Sequence, residues 1–155
     1  MQLYRITRTH FANDLTGNGA RLYGGRWNSE GRFALYAAAT RALALLETMA
    51  HSSMALLLDG DFSLITLEVS DEIPFQAIEA STLPPGWNAW NYLRKTRSTG
   101  DAFLQEGIHL LLRVPSVLVP EENNWVLNPL HPLMKQVKVV NIRPLVLDNR
   151  LLTAV

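Results

Sequence analysis

Hydrophobic and polar positions along the chain switch between two periods. Leu3-Tyr4-Arg5-Ile6 and Phe33-Ala34-Leu35-Tyr36-Ala37 are short apolar runs that predict strands. Ser63 to Val69 alternates, with Ile65, Leu67 and Val69 on one face. Gln136 to Ile142 alternates again, and His109 to Arg113 and Val117 to Val119 are strand-like runs around Pro115-Ser116. Between the second and third strands the pattern turns helical. Thr40 is placed to cap a helix running to about His51, rich in Ala, Leu, Met and Glu. Leu43, Glu47 and His51 share one face of it. With Leu45, Leu46 and Met49 on its other sides, this helix is expected to be buried, taking Glu47 partly out of water. Gly100-Asp101 is expected to open a short helical piece toward Gln105.

Punctuation separates these elements. Residues 12 to 31 hold five glycines with Asn13, Asp14, Asn18 and Asn28, which is loop chemistry of a length that usually serves function. Pro74, Leu83-Pro84-Pro85-Gly86, Pro120 to Asn124 and Asn128 to Pro132 mark further irregular chain, and Trp87 and Trp90 are expected to pin one such segment to the body. No repeat or linker interrupts the 155 residues. The expectation is one α+β (mixed α/β) domain over 1–155 with at least four or five short strands.

Composition narrows the function. Fourteen basic residues balance fourteen acidic ones, which disfavours unaided binding to DNA or an anionic membrane. The absence of cysteine removes disulfides, thiolate nucleophiles and thiolate metal sites, and suits a bacterial cytosol. The N-terminal residues do not read as a signal peptide, and the longest apolar run, Phe33 to Ala39, is too short to span a bilayer. A cytoplasmic protein is expected.

The chemistry concentrates in Gly24-Gly25-Arg26-Trp27-Asn28. Glycines let main chain approach an anion that a guanidinium grips from a second side. This is neither a Walker loop nor Gly-x-Gly-x-x-Gly. Tyr36 offers a stacking face, and the Glu47 carboxylate can stabilise developing positive charge. Each also has an ordinary reading: a surface arginine, a core tyrosine, a solvated helix glutamate. Ser116 lacks a Gly-x-Ser-x-Gly elbow, so a pocket hydrogen bond or a turn fits it better than a nucleophile. Glu47 and His51 have metal-ligand spacing without a third ligand, and no metal is expected.

In order, Tyr4-Arg5-Ile6, Gly25-Arg26-Trp27-Asn28, Leu35-Tyr36-Ala37, Leu46-Glu47, Gly100-Asp101, Val114-Pro115-Ser116, Val119-Pro120-Glu121-x-Asn123-Asn124, Asn128-Pro129-x-His131-Pro132 and Asp148-x-Arg150-Leu151 resemble the RES-domain toxins. That family is named for an arginine, a glutamate and a serine in this order. The resemblance implies a fold similar to ADP-ribosyltransferases. It implies the toxin half of a toxin–antitoxin pair that depletes NAD⁺ by hydrolysis or phosphorolysis of the nicotinamide–ribose bond, with NAD⁺ as substrate and no other cofactor. It assigns catalytic roles to Arg26, Tyr36, Glu47 and Ser116, and substrate-binding positions to Arg5, Asn28, Asn124 and His131, with Asn123 competing for the place of Asn124. The implied partner is an Xre-type helix-turn-helix antitoxin that covers the active site and carries the DNA contacts, with a homodimer possible inside the complex. Transfer of ADP-ribose to a macromolecule, or an inactive nucleotide-binding module, are the alternatives.

Overall fold

A computed structural model describes residues 1–89 and 93–151, apart from the side chains of Asp59, Leu93 and Asn149. Strands β1 (Gln2–Arg8), β2 (Leu35–Ala38), β3 (Phe62–Glu68), β4 (Phe75–Ala77), β5 (Leu111–Pro115), β6 (Asn123–Leu127) and β7 (Lys138–Pro144) form one sheet. Its order is β4-β5-β6-β2-β1-β3-β7, antiparallel except for the β4–β5 pair. Among the described residues four α-helices accompany it: α1 (Asn18–Tyr23), α2 (Arg41–His51), α3 (Met54–Asp59) and α4 (Leu93–Glu106). The α+β class holds, and the seven strands among the described residues meet the expected minimum of four or five.

Period-two alternation sorts the core onto two faces. Leu3, Leu35, Ala37, Ile65, Leu67, Leu111, Trp125 and Leu127 pack together on one, joined by Val69 and Ile73 from the β3–β4 connection. On the other, Tyr4, Ala38 and Leu64 meet Leu43 and Ala44 of α2, while Leu112, Val114 and Val126 meet Phe103 and Leu104 of α4.

The sheet is not uniformly zipped. β1 pairs with β3 along its whole length, Gln2 with Glu68 through Arg8 with Phe62, but with β2 only at Tyr4 and Ala38. Beyond that point β1 and β2 part. A cavity of about 400 Å³ lies where they diverge, walled by Arg5, Ile6 and Thr7 from β1, Leu35 and Tyr36 from β2, and residues of α1.

Several expectations change. The loop over 12 to 31 contains α1, because Asn18 to Tyr23 follow a left-handed turn at Gly17. Helix α2 starts as expected, its Thr40 hydroxyl accepting from the Leu43 amide at 3.1 Å, but it is not buried all round. Leu43 is fully buried and Leu46 is 41% exposed, so only one face meets the sheet. Helix α4 begins well before Gly100, which lies inside it. Val117 to Val119 form no strand, and the segment read as a loop to Asn124 ends in β6. Trp90 lies outside the described residues.

Candidate active site

Glu47 lies one turn beyond buried Leu43 on the sheet-facing side of α2, and its side chain is 23% exposed. Two side chains converge on its Oε1. The Ser116 hydroxyl, just past β5, donates at 2.9 Å, and Asn124 Nδ2, on β6, donates at 2.5 Å. The Ser116 oxygen is itself fixed, accepting from the amides of Leu118 and Val119 at 3.1 Å each. Thr40 ties the start of α2 to the same region by donating to Glu122 Oε2 at 2.7 Å. Neither Ser116 nor Asn124 engages Oε2, which has His51 Nε2 at 3.8 Å. One oxygen is therefore immobilised by two donors, while the other has His51 beside it.

Of the two adjacent asparagines, Asn124 is the one that reaches the carboxylate. Strand alternation turns Asn123 the other way, and its carbonyl accepts from the Ala39 amide at 3.1 Å.

Arg26 sits in the loop between α1 and β2, with Nη1 donating to the Trp87 carbonyl at 2.9 Å. Burial pulls its guanidinium below the ordinary range, while the nearby charge of Glu47 acts against that shift. Tyr36, on β2, is half-buried, and its hydroxyl lies out of water. That hydroxyl donates to Asn28 Oδ1 at 2.7 Å and accepts from the Trp27 amide at 3.0 Å. Burial raises its pKa far above the usual phenol value. Gly25 has to be glycine here: a Cβ would lie 2.6 Å from the Tyr36 hydroxyl.

Three residues expected to meet substrate are differently employed. Asn28 is completely buried, and its Nδ2 donates to the carbonyls of Ala20, Ser29 and Arg32 at 2.8, 3.1 and 3.0 Å. With Oδ1 taken by Tyr36, this amide holds the loop together and has no face toward a ligand. Ser116 is completely buried behind Glu47, which makes it a support for the carboxylate. His131 uses Nδ1 to accept from the Leu133 amide at 3.1 Å, capping the turn Pro132–Gln136. It follows the far end of β6, which is about 10 Å along the strand from Asn124. Arg5 donates to the Asp14 carbonyl at 2.7 Å and walls the cavity; burial lowers its pKa, partly offset by Asp14.

Arg26, Glu47 and Ser116 are not walls of the cavity where the sheet opens. Tyr36 is, and the charge of Arg26 acts on its hydroxyl. A larger, more open trough of about 780 Å³ runs along the outer side of α4, lined by Ser29, Arg94, Arg97 and Asp101 among others. Glu47 is not among its walls. Arg97 and Asp101, however, contact the Arg26 loop, which sequence reading missed: Arg97 Nε donates to the Gly25 carbonyl at 2.8 Å, and Asp101 Oδ1 accepts from the Ser29 amide at 2.9 Å. Only helical spacing, 97 and 101 with Gly100 between, hints at this. Among the described residues no group of His, Cys, Asp or Glu is arranged to hold a metal ion, and no helix is long and apolar enough to cross a membrane.

Fold and geometry together define an α+β protein with an arginine and a doubly anchored glutamate beside an opening in its sheet. The family model of the RES domain matches residues 2–148, and the chain belongs to that family. It is 42% identical over 147 residues to the "Prs ADP-ribosylating toxin" of Sphingobium sp. (strain YBL2), covering 94% of this chain and 91% of that protein. It is 36% identical to "Toxin Res" of Photorhabdus laumondii subsp. laumondii, covering 99% of each. A chain in the crystal structure of the M. tuberculosis MbcT-MbcA toxin-antitoxin complex superposes with a TM-score of 0.78 at 21% identity, over 93% of this chain and 83% of that one. That last likeness concerns the fold.

Proposed function

We propose that this chain is the toxin of a bacterial toxin–antitoxin pair, and that it is an enzyme that breaks the nicotinamide–ribose bond of NAD⁺. The observation that carries the chemistry is the Glu47 carboxylate, with Oε1 fixed at 2.9 Å from Ser116 and 2.5 Å from Asn124. As the bond breaks, its electron pair leaves with the nicotinamide nitrogen and the ribose becomes oxocarbenium-like. A carboxylate already oriented and partly desolvated stabilises that cation without reorganising. Oε2 faces the ribose, either through space or through a hydroxyl. Arg26 binds the diphosphate or orients the ribose, and the Tyr36 ring stacks on nicotinamide. Arg5 lies on the opposite wall of the opening and meets the remainder of this long substrate. Water then adds to the ribose and a proton is released, giving ADP-ribose. Phosphate in place of water gives the phosphorolytic variant. NAD⁺ is the substrate, and these residues need no resident cofactor.

The toxin reading draws on the names of the 42% and 36% identical relatives. It brings with it an antitoxin partner of the Xre helix-turn-helix type, with DNA contacted through that partner. The decisive experiment follows nicotinamide release from NAD⁺ by antitoxin-free protein, with and without phosphate. Release is expected, with a loss of at least about a thousandfold in Glu47→Gln at unchanged folding. A well-folded wild type that releases nothing would overturn the reading.

A second reading has its own support, since the 42% identical relative is named as ADP-ribosylating. The same bond breaks and only the acceptor differs. Incubation of cell extract with tagged NAD⁺ separates the two: a discrete labelled protein means transfer, and free tagged ADP-ribose means hydrolysis.

A further inference from the structure

We propose that Arg97 and Asp101 are positioning residues that set the place of Arg26 from the far side of its loop. The inference rests on the reading above only for what Arg26 does to NAD⁺. Helix α4 grips the loop through every second residue. Arg97 Nε donates to the Gly25 carbonyl at 2.8 Å, the Trp27 carbonyl lies flat against Gly100, and Asp101 Oδ1 accepts from the Ser29 amide at 2.9 Å. Positions 97, 100 and 101 share one helix face, so three contacts fall in a row. The intervening loop residues carry the side chains that turn away from α4. Asn28 goes inward to Tyr36, and Arg26 goes to the Trp87 carbonyl and into the field of Glu47.

This division of labour has a physical reason. Arginine is long and loses much rotamer freedom when fixed, so a fixed main chain beneath it is needed to place the guanidinium reproducibly. Asn28 and Tyr36 hold the loop from inside the protein. Without the outer contacts, the Ser29 amide would open onto the 780 Å³ trough that Arg97 and Asp101 also line, where water can take over its hydrogen bond. Loss of Arg97 is thus cheap for the fold as a whole, but it frees the loop to drift.

The test measures two quantities on Arg97→Ala: amide exchange in residues 24–29, and kcat/KM for NAD⁺ cleavage alone and combined with Arg26→Ala. Arg94→Ala, in the same trough, is the control. The expected result is faster exchange confined to the loop, a 10- to 100-fold fall in kcat/KM, and no further fall when Arg97→Ala is added to Arg26→Ala. A residue that supports only the general fold would lower both backgrounds equally, and that result would overturn the proposal. So would a folded Arg97→Ala protein with wild-type loop exchange. If the wild type does not cleave NAD⁺, the functional reading fails instead, and exchange in the loop alone decides whether Arg97 holds it.

Discussion

Gly100→Ala sets two known effects against each other. Inside a helix, alanine is better than glycine by about 1 kcal/mol, so local propensity predicts a more stable protein. The structure predicts the opposite. A Cβ at position 100 would lie 1.8 Å from the Trp27 carbonyl oxygen and 2.6 Å from its carbon, both main-chain atoms that cannot swing aside. The loop or the helix must retreat by more than about 1 Å to restore ordinary contact, and overpacking of this kind costs about 1–3 kcal/mol or more. With rigid backbone on both sides the upper end applies, leaving a net loss of about 2 kcal/mol. Urea unfolding would read this directly, and the melting temperature should fall by roughly 4–8 °C. A domain with typical stability of about 5–15 kcal/mol stays almost entirely folded after such a loss. Any fall in turnover at 25 °C therefore reports geometry rather than unfolding. Because Trp27 is next to Arg26, a displacement of about 1 Å should lower kcat/KM about a hundredfold. A Gly100→Ala protein that is more stable by about 1 kcal/mol, with unchanged turnover, would refute the steric reasoning.

Ser116→Ala removes a donor to the Glu47 carboxylate and the acceptor for two amides. The expected cost is about 2–4 kcal/mol in denaturant unfolding, with a roughly tenfold fall in turnover because Asn124 still holds Oε1; full turnover would show that one donor suffices. Tyr36→Phe tests the buried hydroxyl through pH. Burial raises the folded-state pKa of Tyr36 above its ordinary value of 10.0. The protonated phenol therefore contributes fully below about pH 10. Above it, the unfolded chain ionises while the folded one does not, and stability falls by about 1.4 kcal/mol per pH unit. Urea midpoints between pH 8 and 11 should show that slope in the wild type and a shallower one in Tyr36→Phe. Equal slopes would mean that this hydroxyl ionises as easily folded as unfolded.

The parts of this protein that were legible in its sequence are those governed by local rules. Thr40 announces α2 because a side-chain cap acts within one turn. The alternation over Ser63 to Val69 gives β3 because half-buried strands have period two. Gly100 misled, since a glycine inside a helix is ordinarily a breaker, and here it is required by a carbonyl seventy-odd residues away in sequence. Asn28 misled in another way. Asparagine in a glycine-rich loop suggests a ligand contact, and nothing local reveals that three carbonyls and a tyrosine will consume its amide. Which of Asn123 and Asn124 meets Glu47 depends on strand phase, and phase is fixed by pairing with β2 and β5. Arg97 carries no sequence signal, and Gly100-Asp101 reads as a motif without a role, because both contacts exist only once α4 lies along the loop.

Convergence of these residues follows from the way the sheet opens. Glu47 is carried by a helix packed over β1 and β2, Asn124 by β6, Ser116 by the exit of β5 and Arg26 by a loop clamped to α4. A fully zipped β1–β2 pair would close the sheet between Arg5 and Tyr36 and leave no recess there. Pairing at Tyr4 and Ala38 alone keeps the two halves joined beside α2 while Arg5 and Tyr36 stand apart. The forfeited ladder hydrogen bonds cost about 1 kcal/mol each at most, where water can replace them. In return, Arg5 and Tyr36 wall a recess, and the charge of Arg26 acts on the Tyr36 hydroxyl at its side. Substitutions that zip β1 to β2 further should therefore stabilise the fold and suppress the activity together.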